Sequence, residues 1–149
     1  MTQKNLSAWL NALILGVGIA LPLLVFFILP TGIGMHRILH TAFWCLAAIP
    51  CEIALLYSRK IAMDIRLDQS FTEKNAHRLK CISFLAAIDS AYLAVGGSLR
   101  FFFGADPLSL LLLALVVAAF GIVLSVAFAA LSHLVLKASA LQKENDLTI

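Results

Sequence analysis

Charge is what this sequence lacks. No Asp, Glu, Lys or Arg occurs between Lys4 and Arg37, or between Asp106 and Lys137. Each gap, about 30 residues long, exceeds the ~20 apolar residues that carry a helix across a bilayer. Charged residues make up 13% of the 149-residue chain and hydrophobic ones 62%, where a soluble domain carries about 25% and 45–50%. A soluble fold is excluded. Two further stretches, 38–58 and 81–99, hold one acid each, Glu52 and Asp89. Four transmembrane helices are therefore expected, near 8–29, 38–58, 80–102 and 107–136. They make an all-α, integral membrane four-helix bundle in one domain spanning 1–149, with a cytoplasmic loop at about 59–79. That loop is too short to bury a core of its own.

Other absences narrow the function. The three cysteines, Cys45, Cys51 and Cys81, have no CxxC spacing and are odd in number, so neither a disulfide framework nor a zinc site is indicated. There is no Walker A loop, HExxH, GxSxG or dinucleotide-binding glycine pattern. No catalytic residue, metal site or cofactor is expected, and the chain reads as not an enzyme. The first span is longer than a signal peptide's apolar region and no small-residue cleavage pattern follows it, so it is expected to stay.

The charges that are present are placed unevenly. Six of the eleven basic residues, Arg59, Lys60, Arg66, Lys74, Arg78 and Lys80, fall between the second and third spans. Lys4 precedes the first span, and Lys137 and Lys143 follow the last. The other two connections hold Arg37 and Arg100. Basic residues mark the cytoplasmic side, so both termini and the middle loop are expected inside a bacterial cytoplasmic (inner) membrane. The net charge of +3 is then a topological signal, and no direct nucleic-acid binding is expected. The bilayer itself is the first partner.

Local signals refine this picture. Pro22 and Pro50 are expected to bend their spans, which membrane helices tolerate. Trp9, Trp44 and Tyr57 sit where an interfacial aromatic belt belongs. Small residues at four-residue spacing mark candidate helix contacts: Ala86, Ser90, Ala94 and Ser98, then Gly121, Ser125 and Ala129, the next step reaching His133. Asp106 reads as an N-cap with Pro107 at the first helical position. The stretch "IAMDIRLDQSF", residues 61–71, fits a short interfacial amphipathic helix or an irregular loop. Ser70 and Glu73 can form a capping box, or Thr72 can be the N-cap; a helix begins here either way. His36 and His40 share a helix face, but two ligands do not close a zinc site.

Four polar groups fall in the cytoplasmic half of the spans: Asn11, Glu52, Asp89 and His133. A charge inside a membrane has a partner or a purpose. Converged, the carboxyls and imidazole could share protons or hold a cation; apart, they are hydrogen-bonded structural groups.

The segment "FTEKNAHRLK" resembles the F-T-x-E-N-x-x-R-L motif of an uncharacterised bacterial four-span family, domain of unknown function family 2975. The closing "LQKENDLTI" resembles the same family's acidic E-N-D/E-L-T-I ending, so the likeness covers the whole chain. Ser70 stands where the family commonly has proline, and Lys74 where it usually has Glu. The resemblance implies no established activity. It implies a neighbouring gene for a small helix-turn-helix regulator, hence a cytoplasmic protein partner. The partner-binding residues it suggests are Phe71, Thr72, Asn75, Arg78, Leu79, Glu144, Asn145, Asp146, Leu147, Thr148 and Ile149. The two motifs are expected to pack together, with Lys74, Arg78 and Lys80 facing the tail's acids and a groove of Phe71 and Leu79 taking Leu147 and Ile149. The leading expectation is a membrane-embedded binding or regulatory protein. The alternative is a small transporter or ion-linked protein using Glu52 and Asp89, for which a homo-oligomer would supply the missing bulk.

Overall fold

A computed structural model describes residues 3–23, 35–67 and 70–147. It is all-α, with four helices: α1 (Gln3–Leu23), α2 (Met35–Arg66), α3 (Glu73–Phe102) and α4 (Leu108–Leu147). Three have the length and apolarity to cross a membrane: Arg37–Arg66, Glu73–Phe102 and Leu108–Asn145. The apolar part of α1, Ala8–Leu23, is shorter, and the rest of the expected first span lies outside the described residues. Large apolar side chains are exposed along every helix, among them Leu13, Ile49, Phe84, Val116 and Phe120. Water would not tolerate so much apolar surface; hydrocarbon does.

The helices outrun the expected spans. Residues 59–66 continue α2 as one helix, replacing the expected amphipathic helix or loop, and residues 73–80 already belong to α3. The cytoplasmic loop expected over 59–79 shrinks to the connection between Arg66 and Glu73. Thr72 is the N-cap of α3, its hydroxyl accepting from the Asn75 N–H at 3.3 Å. At the far end of α3, Gly104 adopts φ +68°, and the N–H groups of Phe103, Gly104 and Ala105 reach back to the carbonyls of Leu99, Phe101 and Arg100. That left-handed step suits glycine and closes the helix. The next turn corrects the expected Asp106 cap. The Pro107 carbonyl opens α4, because the Asp106 carboxylate is taken by Arg100 in a two-point pair at 2.6 and 2.9 Å.

Close backbone approach joins α1 to α2, α2 to α3 and α3 to α4, and no other pair among the described residues. The arrangement is an antiparallel row, more open than the compact bundle expected. The start of α1, the end of α4 and the α2–α3 connection lie at one end of the row; we call this the inner end. The α3–α4 pair is the spine. Its contact positions step by three and four: Ala76, Leu79, Ser83, Ala86, Ser90, Leu93 and Gly97 on α3, with Ala114, Ala118, Ser132, Val135 and Ser139 on α4. Gly121, Ser125 and Phe128 fill the intervening α4 steps. This is a heptad seam of small residues, the period of a left-handed coiled coil. Ser125 Oγ donates to the Ser83 carbonyl at 2.8 Å and Ser132 Oγ to the Ala76 carbonyl at 2.7 Å. Such bonds average about 0.6 kcal/mol each in membranes, so they set register more than they hold the pair together. The four-residue rows expected from sequence catch Ala86, Ser90, Gly121 and Ser125 but run off the seam at Ala94 and Ala129.

One further expectation is corrected at the other end. Trp44 belongs to no interfacial belt: it is buried with Ala47, Leu93, Ala114 and Ala118. Its indole N–H donates to His40 Nε2 at 3.2 Å, which makes His40 a buried structural imidazole. His36's side chain lies outside the described residues.

Candidate functional site

The inner end is built from three helices that continue past their apolar segments. Counting from Arg59, Lys80 and Lys137, the extensions of α2, α3 and α4 run roughly 12, 12 and 16 Å at 1.5 Å per residue. Asn75 organises them. It is the one large side chain fully buried among the described residues. Its Nδ2 donates to the Ser70 carbonyl at 3.3 Å, and its Oδ1 accepts from Arg78 Nη1 at 2.9 Å. The same Arg78 nitrogen reaches Asp64 Oδ2 at 2.6 Å. One asparagine thus fixes the connector to α3, and one arginine ties α3 back to α2. Sequence reasoning missed Asp64, because its partner lies fourteen residues away across a hairpin whose register no local pattern reveals.

The two motif segments do meet, with charges opposite to those expected. Lys143 Nζ of α4 donates to Glu73 Oε1 of α3 at 2.6 Å, while Arg78 turns inward to Asp64. Leu79 is buried in the seam beside Ala76 and Val135, and Phe71 is exposed; the Leu147 side chain expected to dock on them lies outside the described residues. Glu144 and Asn145 lie exposed on α4, and the helix continues through Asp146 and Leu147. Thr148 and Ile149 lie outside the described residues.

The Glu73 carboxyl is held below its ordinary range, first by the hydrogen bond from Lys143 and then by that ammonium's charge. A depressed carboxyl stabilises the folded state above its unfolded pKa, near 4.3, and loses that contribution as pH falls through the lower folded value. Acidification from pH 5 to 3 should therefore raise hydrogen exchange in the last turns of α4, and Glu73→Gln should remove that step. Both side chains are largely exposed, so high salt should mask the effect. A step unchanged in the Glu73→Gln variant would show that another group carries it.

The intramembrane polar groups do not converge as a set of four. Asp89 on α3 faces α2, its Oδ2 accepting from the Cys51 thiol at 3.5 Å. Glu52, the next residue on α2, faces α1, with Oε2 3.6 Å from the Cβ position of Gly18. Asn11 lies two turns from Gly18 along α1, roughly 10 Å, and His133 is exposed on α4, off the seam. Asn11 Oδ1, Glu52 Oε1 and Asp89 Oδ1 are buried without a hydrogen-bond partner. Among the described residues no group of three His, Cys, Asp or Glu could hold a metal ion. The cysteine spacing gave Cys51 no role; its place opposite Asp89 comes only with the packing of α2 on α3.

Comparison with known proteins adds a family and no activity. No curated protein and no solved structure matches the chain. Residues 2–149 match the family described as protein of unknown function (DUF2975). With essentially its whole length matched, the chain belongs to that family.

Proposed function

We propose that this is a membrane-embedded binding protein that presents its inner end to a small cytoplasmic protein, in the first instance a helix-turn-helix regulator. In this reading it sits in the bacterial cytoplasmic membrane with both termini and the α2–α3 turn inside. The observation that carries the reading is the ordered polar projection. Three helices continue beyond their apolar lengths and are locked by Asn75, Asp64–Arg78 and Glu73–Lys143. The hydrocarbon of a bilayer gains nothing from such a surface, whereas a protein partner would find charges of both signs on a rigid frame. The nine basic residues at this end support its cytoplasmic placement.

The test is co-purification, in detergent, of the full chain with the product of an adjacent regulator gene. Wild-type protein should retain it, and Lys143→Glu with Glu73→Lys, which keeps the pair but reverses its surface, should weaken retention at least about fivefold. Absence of any complex with wild-type protein would refute the docking reading. Orientation is tested separately. A single cysteine at position 143, with Cys45, Cys51 and Cys81 replaced by serine, should resist an impermeant thiol reagent in intact cells and react after lysis. Labelling in intact cells would reverse the topology.

A second reading has its own observation: Glu52 and Asp89 each keep a buried carboxyl oxygen without a hydrogen-bond donor. That arrangement favours proton- or ion-linked transport. Uptake by proteoliposomes that is abolished by Asp89→Asn would support it over docking.

A further inference from the structure

A groove of about 370 Å³ opens between α2 and α3 where the apolar spans give way to the charged projection, lined by Ile53, Tyr57, His77, Lys80, Cys81, Phe84 and Leu85. Its volume falls within the roughly 300–1,000 Å³ of small-molecule sites. The lining is two stripes, one per helix. Ile53 and Tyr57 lie one turn apart on α2, with Lys60 next along; His77, Lys80, Cys81 and Phe84 follow helical spacing on α3. The groove is graded. Its membrane side is Ile53, Phe84 and Leu85, all apolar, and Phe84 is exposed to whatever lies outside. Its aqueous side carries His77 and Lys80, with Lys60 Nζ over the Tyr57 ring at 5.9 Å from the centroid.

Register sets the two lysines at one level. The hairpin pairs Cys51 with Asp89 and Asp64 with Arg78, and between those rungs Lys60 stands nearly level with Lys80. Asp64, the acid nearest on α2, is already paired with Arg78. The rim is left basic.

We propose that this groove holds one anionic phospholipid, its phosphate between Lys60 and Lys80 and its acyl chain along Ile53, Phe84 and Leu85. The charge complementarity and the depth agree: lysines end at headgroup height by snorkelling, tyrosine belongs to the same layer, and the apolar floor runs inward from it. A water-soluble ligand would have no use for a floor that opens to hydrocarbon. The site is independent of partner docking, since lipid retention needs only the purified protein.

Native mass spectrometry of the full chain, released from detergent with equimolar phosphatidylglycerol and phosphatidylcholine, tests it. One phosphatidylglycerol should be retained in preference to phosphatidylcholine. A basic residue at an anionic lipid surface contributes about fivefold, so K60Q/K80Q should lose roughly thirtyfold. R59Q/R66Q removes the same charge from the other side of α2 and should keep the lipid. Leu85→Trp fills the floor, leaves both lysines and should expel it. Excess glycerol phosphate should not compete, because it has no chain. Equal retention of the two lipids, persistence in K60Q/K80Q or Leu85→Trp, equal loss in R59Q/R66Q, or displacement by glycerol phosphate would each overturn the proposal.

Discussion

Gly121→Leu is expected to prise α4 from α3 and to cost about 3 kcal/mol, the upper range for overpacking a close-packed interface. A Cβ at Gly121 would collide with Ser90 Oγ and lie 3.6 Å from the Ala86 carbonyl oxygen. Rotating Ser90 gives little relief, because its hydroxyl already donates to the Ala86 carbonyl at 2.7 Å. The helices must separate, and the Ser125–Ser83 and Ser132–Ala76 bonds lengthen with them. Gly16→Leu is the control, since nothing lies within 4 Å of its Cβ position. The measurement is twofold: unfolding free energy in mixed micelles, and oxidative cross-linking of S83C/S125C in a cysteine-free background. The hydroxyls of those two serines stand 3.3 Å apart, so the pair should cross-link readily in the parent and poorly with Gly121→Leu. Unchanged cross-linking and stability would refute the seam. A loss shared by Gly16→Leu would mean that added bulk alone, not its place, does the damage.

Asn75→Leu should cost about 2–3 kcal/mol by leaving buried polar groups without partners. Leucine keeps asparagine's branched side-chain skeleton but is bulkier, so no cavity opens and some overpacking adds to the cost. What is lost is the donor to the Ser70 carbonyl and the acceptor for Arg78. The Thr72 cap survives on the backbone N–H of residue 75, so α3 should still start at the same place. The connector should loosen while the helix stays. Hydrogen exchange across 70–80 and proteolysis between Leu67 and Thr72 would read this directly. Phe71→Ala, at an exposed position, should change neither. If exchange across 70–80 were the same in Asn75→Leu and the parent, the asparagine would not be organising the inner end. The variant also bears on the docking proposal, because a loosened frame should release a partner that a rigid frame retains.

Parts of the inner end were legible in advance for local reasons. A helix start at 70–73 follows from the hydroxyls of Ser70 and Thr72 ahead of Glu73, which is short-range geometry; the structure selects Thr72 as the cap. The meeting of the two motif segments followed from topology, since antiparallel neighbours must bring the start of α3 to the end of α4. Which charges would face each other was not legible. Lys143 and Glu73 pair because the helical phase of α4 presents position 143 there, and Arg78 is drawn inward by Asn75 and Asp64. The Trp44 error has a related cause: tryptophan at a span's outer third fits either an interface or a core, and only the imidazole of His40 beside it selects the core.

By itself the sequence determined that the chain is helical and built for a membrane, and which ends carry the basic charge. Those properties depend on segment composition, because a bilayer acts on each stretch by its own hydropathy and flanking lysines and arginines. Tertiary structure alone decided which face of each helix is inside. In water an apolar stripe announces the buried face; in lipid every apolar face is equally well solvated, and α4 is apolar nearly all round. The choice passes to close fit and cross-helix hydrogen bonds. Gly97 against Ala114, Gly121 against Ser90 and Ser125 against Ser83 select the 3.5-residue seam over the four-residue rows. The same selection turns Asp89 toward Cys51 and leaves His133 outside. Those are relations between two helices, and no single stretch of sequence contains them.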